Sequence, residues 1–232
     1  MATEHKQQNN GYGVIWDVDG TLVDTAELHF DAWVKLASDL RRDFTRADFA
    51  ATFGKRNPEI IGTLFQPGLD EEQVADLGDK KEIYYREEAQ HGVALLPGTQ
   101  ALLEGLHSEG FKQALGSSAP RQNLELILAS TKSAGLFEAV VGSEDTSRGK
   151  PDPQVFLIAA EKIGVPPEKC LVFEDAVAGV EAAKAAGMKC IAVTFVGHHS
   201  RESLIAAGAD LVVPSLELVS IGTVKELLGL SV

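Results

Sequence analysis

From Phe111 onward the sequence alternates short apolar runs, beginning near Lys112, Ala139, Cys170, Lys189 and Asp210, with stretches of helical pattern. That alternation restricts the fold severely, because strand–helix–strand units close as right-handed crossovers and build a parallel sheet covered on both faces. One more run, Tyr12 to Trp16, is short, apolar and bounded by Gly11 and Gly20, as a buried strand should be. The expected class is α/β, a Rossmann-like doubly wound parallel sheet.

The stretch between Asp24 and Pro97 breaks the alternation. It lacks strand runs and carries helical spacing, as in His29, Ala32, Trp33, Leu36 and Leu40, and in the charged run from Asp70 to Gln90. It reads as a helical cap, residues 25–96, inserted into a core formed by 11–24 and 97–232. Hinges are expected at Val23 to Ala26 and at Leu95 to Gly98, where Pro97-Gly98 interrupts the pattern. Residues 1–10 are polar and read as a disordered tail.

The Tyr12 to Trp16 run ends in Asp17-Val18-Asp19-Gly20-Thr21. Residues two apart share a side of a strand, but Gly20 marks a sharp turn or a close backbone approach, which leaves Asp19 free to offer its carbonyl to a metal and keep its carboxylate. Two carboxylates this close repel and invite a hard divalent cation such as Mg²⁺. The competing readings are an acidic turn and a calcium loop, and the continuation Leu22, Val23, Leu28 does not supply the alternating oxygen ligands of an EF-hand. Two further strand runs also end in polar pairs, Ser117-Ser118 and Glu174-Asp175, and between them lies Gly149-Lys150-Pro151-Asp152-Pro153. There Asp152 is expected to cap a helix starting at Pro153, with Val155, Phe156, Ala159 and Ile163 on its buried side. These positions follow strands or precede helices, where open parallel sheets bind ligands. Taken singly, Ser117 reads equally as a turn residue, Lys150 as a loop lysine, and Glu174-Asp175 as the acidic start of a helix from Ala176 to Ala186.

This ordered set resembles the haloacid dehalogenase superfamily of phosphohydrolases and phosphomutases, over residues 13–213. The resemblance implies that Asp17 is a nucleophile forming an aspartyl-phosphate and that Asp19 is the general acid and base. It gives phosphate contacts to Thr21, Ser117, Ser118 and Lys150, and a Mg²⁺ site to Asp17, Asp19, Glu174 and Asp175. An acid at Asp19 disfavours dehalogenation, which needs no leaving-group protonation.

The segment Asp24-Thr25-Ala26-Glu27-Leu28-His29-Phe30-Asp31-Ala32-Trp33 is similar to the start of the cap in the β-phosphoglucomutase subgroup, in which the matching histidine contacts the general acid. Lys81 falls near a cap lysine of that subgroup. The mutase loop Lys-Gly-x-x-Arg is matched here only at Gly54, within Phe53-Gly54-Lys55-Arg56-Asn57; a cation shifted to Lys55 or Arg56 is not equivalent at a bidentate phosphate site. Gly54, Asn57 and Arg121 join His29 and Lys81 as candidate substrate contacts. The plainer readings are a helix histidine packed beside Trp33, a solvated Lys81, Arg121 as the start of a helix, and Trp33 as cap core.

The function expected is Mg²⁺-dependent hydrolysis of a small phosphorylated metabolite, a sugar phosphate, through Asp17. The alternatives are a phosphosugar mutase and a non-catalytic phosphate-sensing module. A net charge of −13 argues against nucleic acid and anionic membranes as partners. No apolar run has membrane-spanning length and the start lacks a secretory h-region, so a cytoplasmic monomer is expected. Cys170 and Cys190, each opening a strand, are expected as buried reduced thiols.

Overall fold

The computed structural model describes residues 11–65 and 68–231; the tail 1–10 lies outside the described residues. The first strand, β1 (Gly13–Trp16), is followed by four helices, α1 (Ala26–Asp39), α2 (Arg46–Thr52), α3 (Asn57–Leu64) and α4 (Glu71–Ala89). Then come α5 (Thr99–Ser108), β2 (Lys112–Gly116), α6 (Arg121–Thr131), β3 (Ala139–Val141), α7 (Gln154–Lys162) and β4 (Cys170–Glu174). The chain ends with α8 (Val177–Ala185), β5 (Lys189–Val193), α9 (Arg201–Ala206), β6 (Leu211–Val213) and α10 (Ile221–Leu227). The six strands form one parallel sheet in the order β3-β2-β1-β4-β5-β6, the α/β class read from the sequence.

Side-chain alternation along the strands divides the core into two layers. Val14 and Trp16 of β1, with Leu171 and Phe173 of β4, pack against Leu103 and Ile127 on one face. Ile15, Val172 and Cys190 pack against Phe156 and Val180 on the other. Trp16 stacks on Phe173 with ring centroids 4.1 Å apart, and its indole N–H donates to Gln113 Oε1 at 3.0 Å. That satisfies the one polar atom the ring carries into the core. Both cysteines are free and buried, although Cys190 is the second residue of β5 and not the first.

Helix α7 starts one residue later than the sequence suggests: Pro153 occupies the cap position and the Asp152 carboxylate accepts from the backbone N–H of Gln154 at 3.0 Å. Val155, Phe156, Ala159 and Ile163 are buried as expected. Likewise α8 begins at Val177, so Glu174 is the last residue of β4 and Asp175 lies in the turn before the helix.

Helices α1 to α4, called the cap below, pack on an aromatic cluster of their own, in which Trp33 and Phe65 (centroids 5.6 Å) and Phe44 and Phe65 (5.9 Å) are stacked. Truncating such a buried ring to alanine costs about 3–5 kcal/mol. The two segments joining cap to core run side by side: Val23 and Leu95 form an antiparallel bridge and the Leu96 N–H donates to Leu22 O at 3.0 Å. Among the described residues no helix is long and apolar enough to cross a membrane.

Candidate active site

The backbone first brings the acids together. Trp16 lies beside Leu115 and Phe173 in register, so the residues that follow, Asp17, Gly116-Ser117 and Glu174-Asp175, leave the sheet at one edge. Gly20 turns the chain with φ +89°, and a Cβ there would come within 2.3 Å of Asp175 Oδ2. Only glycine combines that dihedral with so close an approach. Gly179 meets a different demand: a Cβ at that position would lie 1.6 Å from Glu174 Oε1.

Oxygen atoms of Asp17, Glu174 and Asp175 lie within 4.8 Å of one another, and all three residues are buried. Lys150 Nζ donates to Asp17 Oδ1 at 2.5 Å and to Glu174 Oε1 at 2.7 Å. Glu174 Oε2 accepts from the backbone N–H groups of Asp175 (2.7 Å) and Ala176 (2.6 Å), so both of its oxygens have partners. Asp175 Oδ1 accepts from Thr21 at 3.3 Å, while Asp175 Oδ2 is buried with no hydrogen-bond partner among the described residues. One ammonium among three carboxylates leaves the cluster short of positive charge. Burial raises the pKa of Asp17 to about 7 against the attraction of Lys150, with repulsion from Glu174 and Asp19 adding to the rise. Burial and repulsion from Glu174 and Asp17 push Asp175 up as well. Burial would lower Lys150, but the two carboxylates prevail and hold it above its usual range.

An all-oxygen donor set, an orphaned buried carboxylate oxygen and two carboxylates pushed up by burial and mutual repulsion suit a hard divalent ion. Asp17 and Asp175 have oxygens to give it.

Asp19 is treated differently. Its Oδ1 accepts from Thr25 Oγ1 at 2.5 Å and pairs with His29 Nε2 at 3.0 Å, and its carboxylate lies outside the three-acid cluster. Burial would raise its pKa, but the attraction and hydrogen bond of His29, the hydrogen bond of Thr25 and the charge of Lys81 together hold it below the ordinary value.

The cap covers these groups. The cleft between them is lined from the core by Asp17, Asp19, Ser117, Ser118, Glu174 and Asp175. From the cap it is lined by His29, Trp33, Phe53, Gly54, Lys55, Asn57 and Lys81. His29 stacks on Tyr85 with centroids 4.1 Å apart, and Lys81, 2% exposed, reaches His29 Nδ1 at 2.6 Å and Glu82 Oε1 at 2.9 Å. The solvated alternative for Lys81 is thus excluded, as is packing beside Trp33 as the whole account of His29. Trp33 is both cap core and cleft wall.

Not every candidate has its polar group free to meet a ligand. The Thr21 hydroxyl is spent on Asp175, and Ser117 Oγ accepts from the Ala119 N–H at 3.0 Å beside the cleft. Arg121 opens α6 and pairs with Asp145 at 2.7 Å, so a substrate contact from its guanidinium is not what this geometry offers. Asn57 gives its amide to Glu82 at 2.8 Å. Thr25, Glu82 and Asn123 were not apparent from the sequence; only the position of Thr25, six residues past Asp19 at the hinge, offered a hint.

Comparison with known proteins agrees with this geometry. The model of the haloacid dehalogenase-like hydrolase family matches residues 13–187. The chain is 30% identical over 217 residues to a phosphorylated carbohydrates phosphatase of Thermotoga maritima, covering 93% of this chain and 99% of that one. It is 34% identical over 208 residues to a β-phosphoglucomutase of Bacillus subtilis, covering 86% and 88%. Among solved structures, a β-phosphoglucomutase from Clostridium difficile superposes with a TM-score of 0.85 at 26% identity, over 94% of this chain and 97% of that one. This chain belongs to the haloacid dehalogenase-like hydrolase family.

Proposed function

We propose that this haloacid dehalogenase-like hydrolase is a Mg²⁺-dependent phosphatase that cleaves small phosphorylated metabolites, sugar phosphates in particular, through a phosphoryl group carried on Asp17. The observation that carries the reading is the contrast between Asp17 and Asp19. Asp17 lies in the acidic cluster beside Lys150, whereas Asp19 is held apart from that cluster by Thr25 and His29, so the two carboxylates are placed for different roles. Residues 25–96 act in this reading as a hinged cap that closes over the substrate and excludes water.

Asp17 and Asp175 would hold Mg²⁺, with Glu174 fixing Lys150 beside them. When bound, the ion would supply positive charge that keeps Asp17 ionised and offsets the negative charge of the phosphate. In the first half-reaction a carboxylate oxygen of Asp17 attacks phosphorus, the ester P–O bond breaks, and the departing oxygen takes a proton from Asp19, which must first take one up from solvent because Thr25 and His29 hold it as the carboxylate. Thr25 and His29 stabilise the Asp19 carboxylate that remains. In the second half that carboxylate accepts a proton from the attacking water, the bond between phosphorus and Asp17 breaks, and inorganic phosphate leaves. Ser117, Ser118 and Lys150 orient the phosphoryl oxygens and neutralise them, which in phosphoryl transfer is most of the work.

A mutase is the second reading, and His29 on Asp19 favours it. Against it, the cap loop offers a poor grip for a second phosphate. Phe53 is buried in the aromatic cluster, Arg56 donates to Ser143 O at 3.0 Å, and Asn57 is held by Glu82, leaving Lys55 as the cation of that loop lining the cleft. The test is a panel of phosphorylated metabolites with Mg²⁺, together with β-glucose 1-phosphate plus a trace of the 1,6-bisphosphate. Phosphate release is expected; efficient isomerisation with little phosphate would overturn the choice in favour of the mutase.

A further inference from the structure

We propose that Glu82 is a positioning residue that couples seating of the cap to the proton-carrying carboxylate of Asp19. The inference rests on the phosphatase reading but concerns a residue outside the machinery described above. Glu82 lies on α4 and is 3% exposed, yet both of its oxygens are engaged. Oε1 accepts from Asn57 Nδ2 at 2.8 Å and from Lys81 Nζ at 2.9 Å, both within the cap. Oε2 accepts from Asn123 Nδ2 at 2.6 Å, across the boundary on α6 of the core. Arg86, one turn along α4, donates to Asn123 Oδ1 at 3.0 Å. With its oxygen so held, the Asn123 amide can present only its N–H groups to Glu82.

The other side of Glu82 leads to the chemistry. An ammonium has donors and no acceptor, so Lys81 donates to His29 Nδ1, and His29 carries its proton on Nε2 and donates it to Asp19 Oδ1. A continuous chain runs from Asn123 of the core through Glu82, Lys81 and His29 of the cap and back to Asp19 of the core. The chain is complete only with the cap seated on α6. A lysine buried to 2% also needs a counter-charge, and without one its desolvation is uncompensated. Burial would raise the pKa of Glu82, but the charge of Lys81 and the hydrogen bonds from Asn57 and Lys81 outweigh it and keep the carboxyl below its ordinary value, as a counter-ion requires. Glutamine would keep the shape and remove both the charge and one of the two acceptor atoms.

The test uses the leaving group. Phosphoryl transfer from p-nitrophenyl phosphate needs no proton on the departing oxygen, whereas a sugar phosphate does. In Glu82→Gln, kcat/KM for the sugar phosphate should fall about 30-fold and that for p-nitrophenyl phosphate less than about 3-fold. Asn123→Ala, which breaks the link from the core side and leaves the Lys81–Glu82 pair in place, should give the same pattern at about 5-fold; it is read alone if Glu82→Gln does not fold. Equal losses for both esters, or no loss for either in folded protein, would overturn the role of Glu82 while leaving the phosphatase reading intact. A wild-type chain inactive toward both esters would sink that reading, and this inference with it.

Discussion

The two walls of the cleft solve opposite electrostatic problems. On the core wall, Asp17, Glu174 and Asp175 face, among the described residues, one cation, Lys150, and one buried carboxylate oxygen has no partner there. On the cap wall, Lys81 and Glu82 are buried and His29 is half-buried, but the three are joined to one another and to their neighbours. The core wall is short of positive charge; the cap wall is balanced with the cap seated on α6. Buried charge is tolerable when paired and costly when not, so the imbalance marks where chemistry enters and the balance marks what holds it in position.

The strongest way to break this contrast is at Asp17. Asp17→Asn removes the proposed nucleophile and one acid of the unbalanced wall, and is expected to lower turnover by about 10⁴-fold or more with the fold retained. Appreciable activity in purified protein free of wild-type enzyme would take the nucleophile role from Asp17. Next in size, Asp19→Ala should cost about 10³-fold in turnover of a sugar phosphate. Mg²⁺ affinity, measured by calorimetry, should change far less than in Asp175→Ala. Equal loss of Mg²⁺ affinity in the two variants would mean that the Asp19 carboxylate belongs to the metal wall.

The smallest effect is one of stability, and its sign separates the walls. Asp17, with a native pKa of about 7, and Asp175, also raised, bind protons in the native state that the unfolded chain releases at a lower pH. Stability of the metal-free protein is therefore reduced above pH 7 and recovers as pH falls through 7 toward about 4. Thermal unfolding without metal should occur about 3 °C or more higher at pH 6 than at pH 8. Saturating Mg²⁺ should stabilise the protein more at pH 8 than at pH 6 and flatten that slope. A metal-free protein more stable at pH 8 than at pH 6 would place the charge imbalance somewhere other than the core wall.

Much of the core wall was legible in the chain. Asp17, Ser117 and Glu174-Asp175 each close an apolar run, and parallel strands place such endings together whatever the rest of the sequence does. The cap wall was less legible, because α4 is charged nearly all round and its pattern does not say which charges turn inward. Lys81 and Glu82 stand next to Lys80, which pairs with Asp39 at the surface. Nothing local distinguishes them; burial against Trp33, Tyr85 and α6 does.

The sequence by itself determined the fold class, the helical insertion and the order of the polar strand ends, because these follow from periodicity and turn residues acting over a few positions. Tertiary structure alone decided that the Thr21 hydroxyl serves Asp175, that Arg121 pairs with Asp145, and that Asn123 meets Glu82 across 41 residues. Those partners are chosen by which surfaces pack when the cap lies on the core. Charge and hydrogen bonding act over a few ångströms of space and carry no mark in the spacing of residues along the chain.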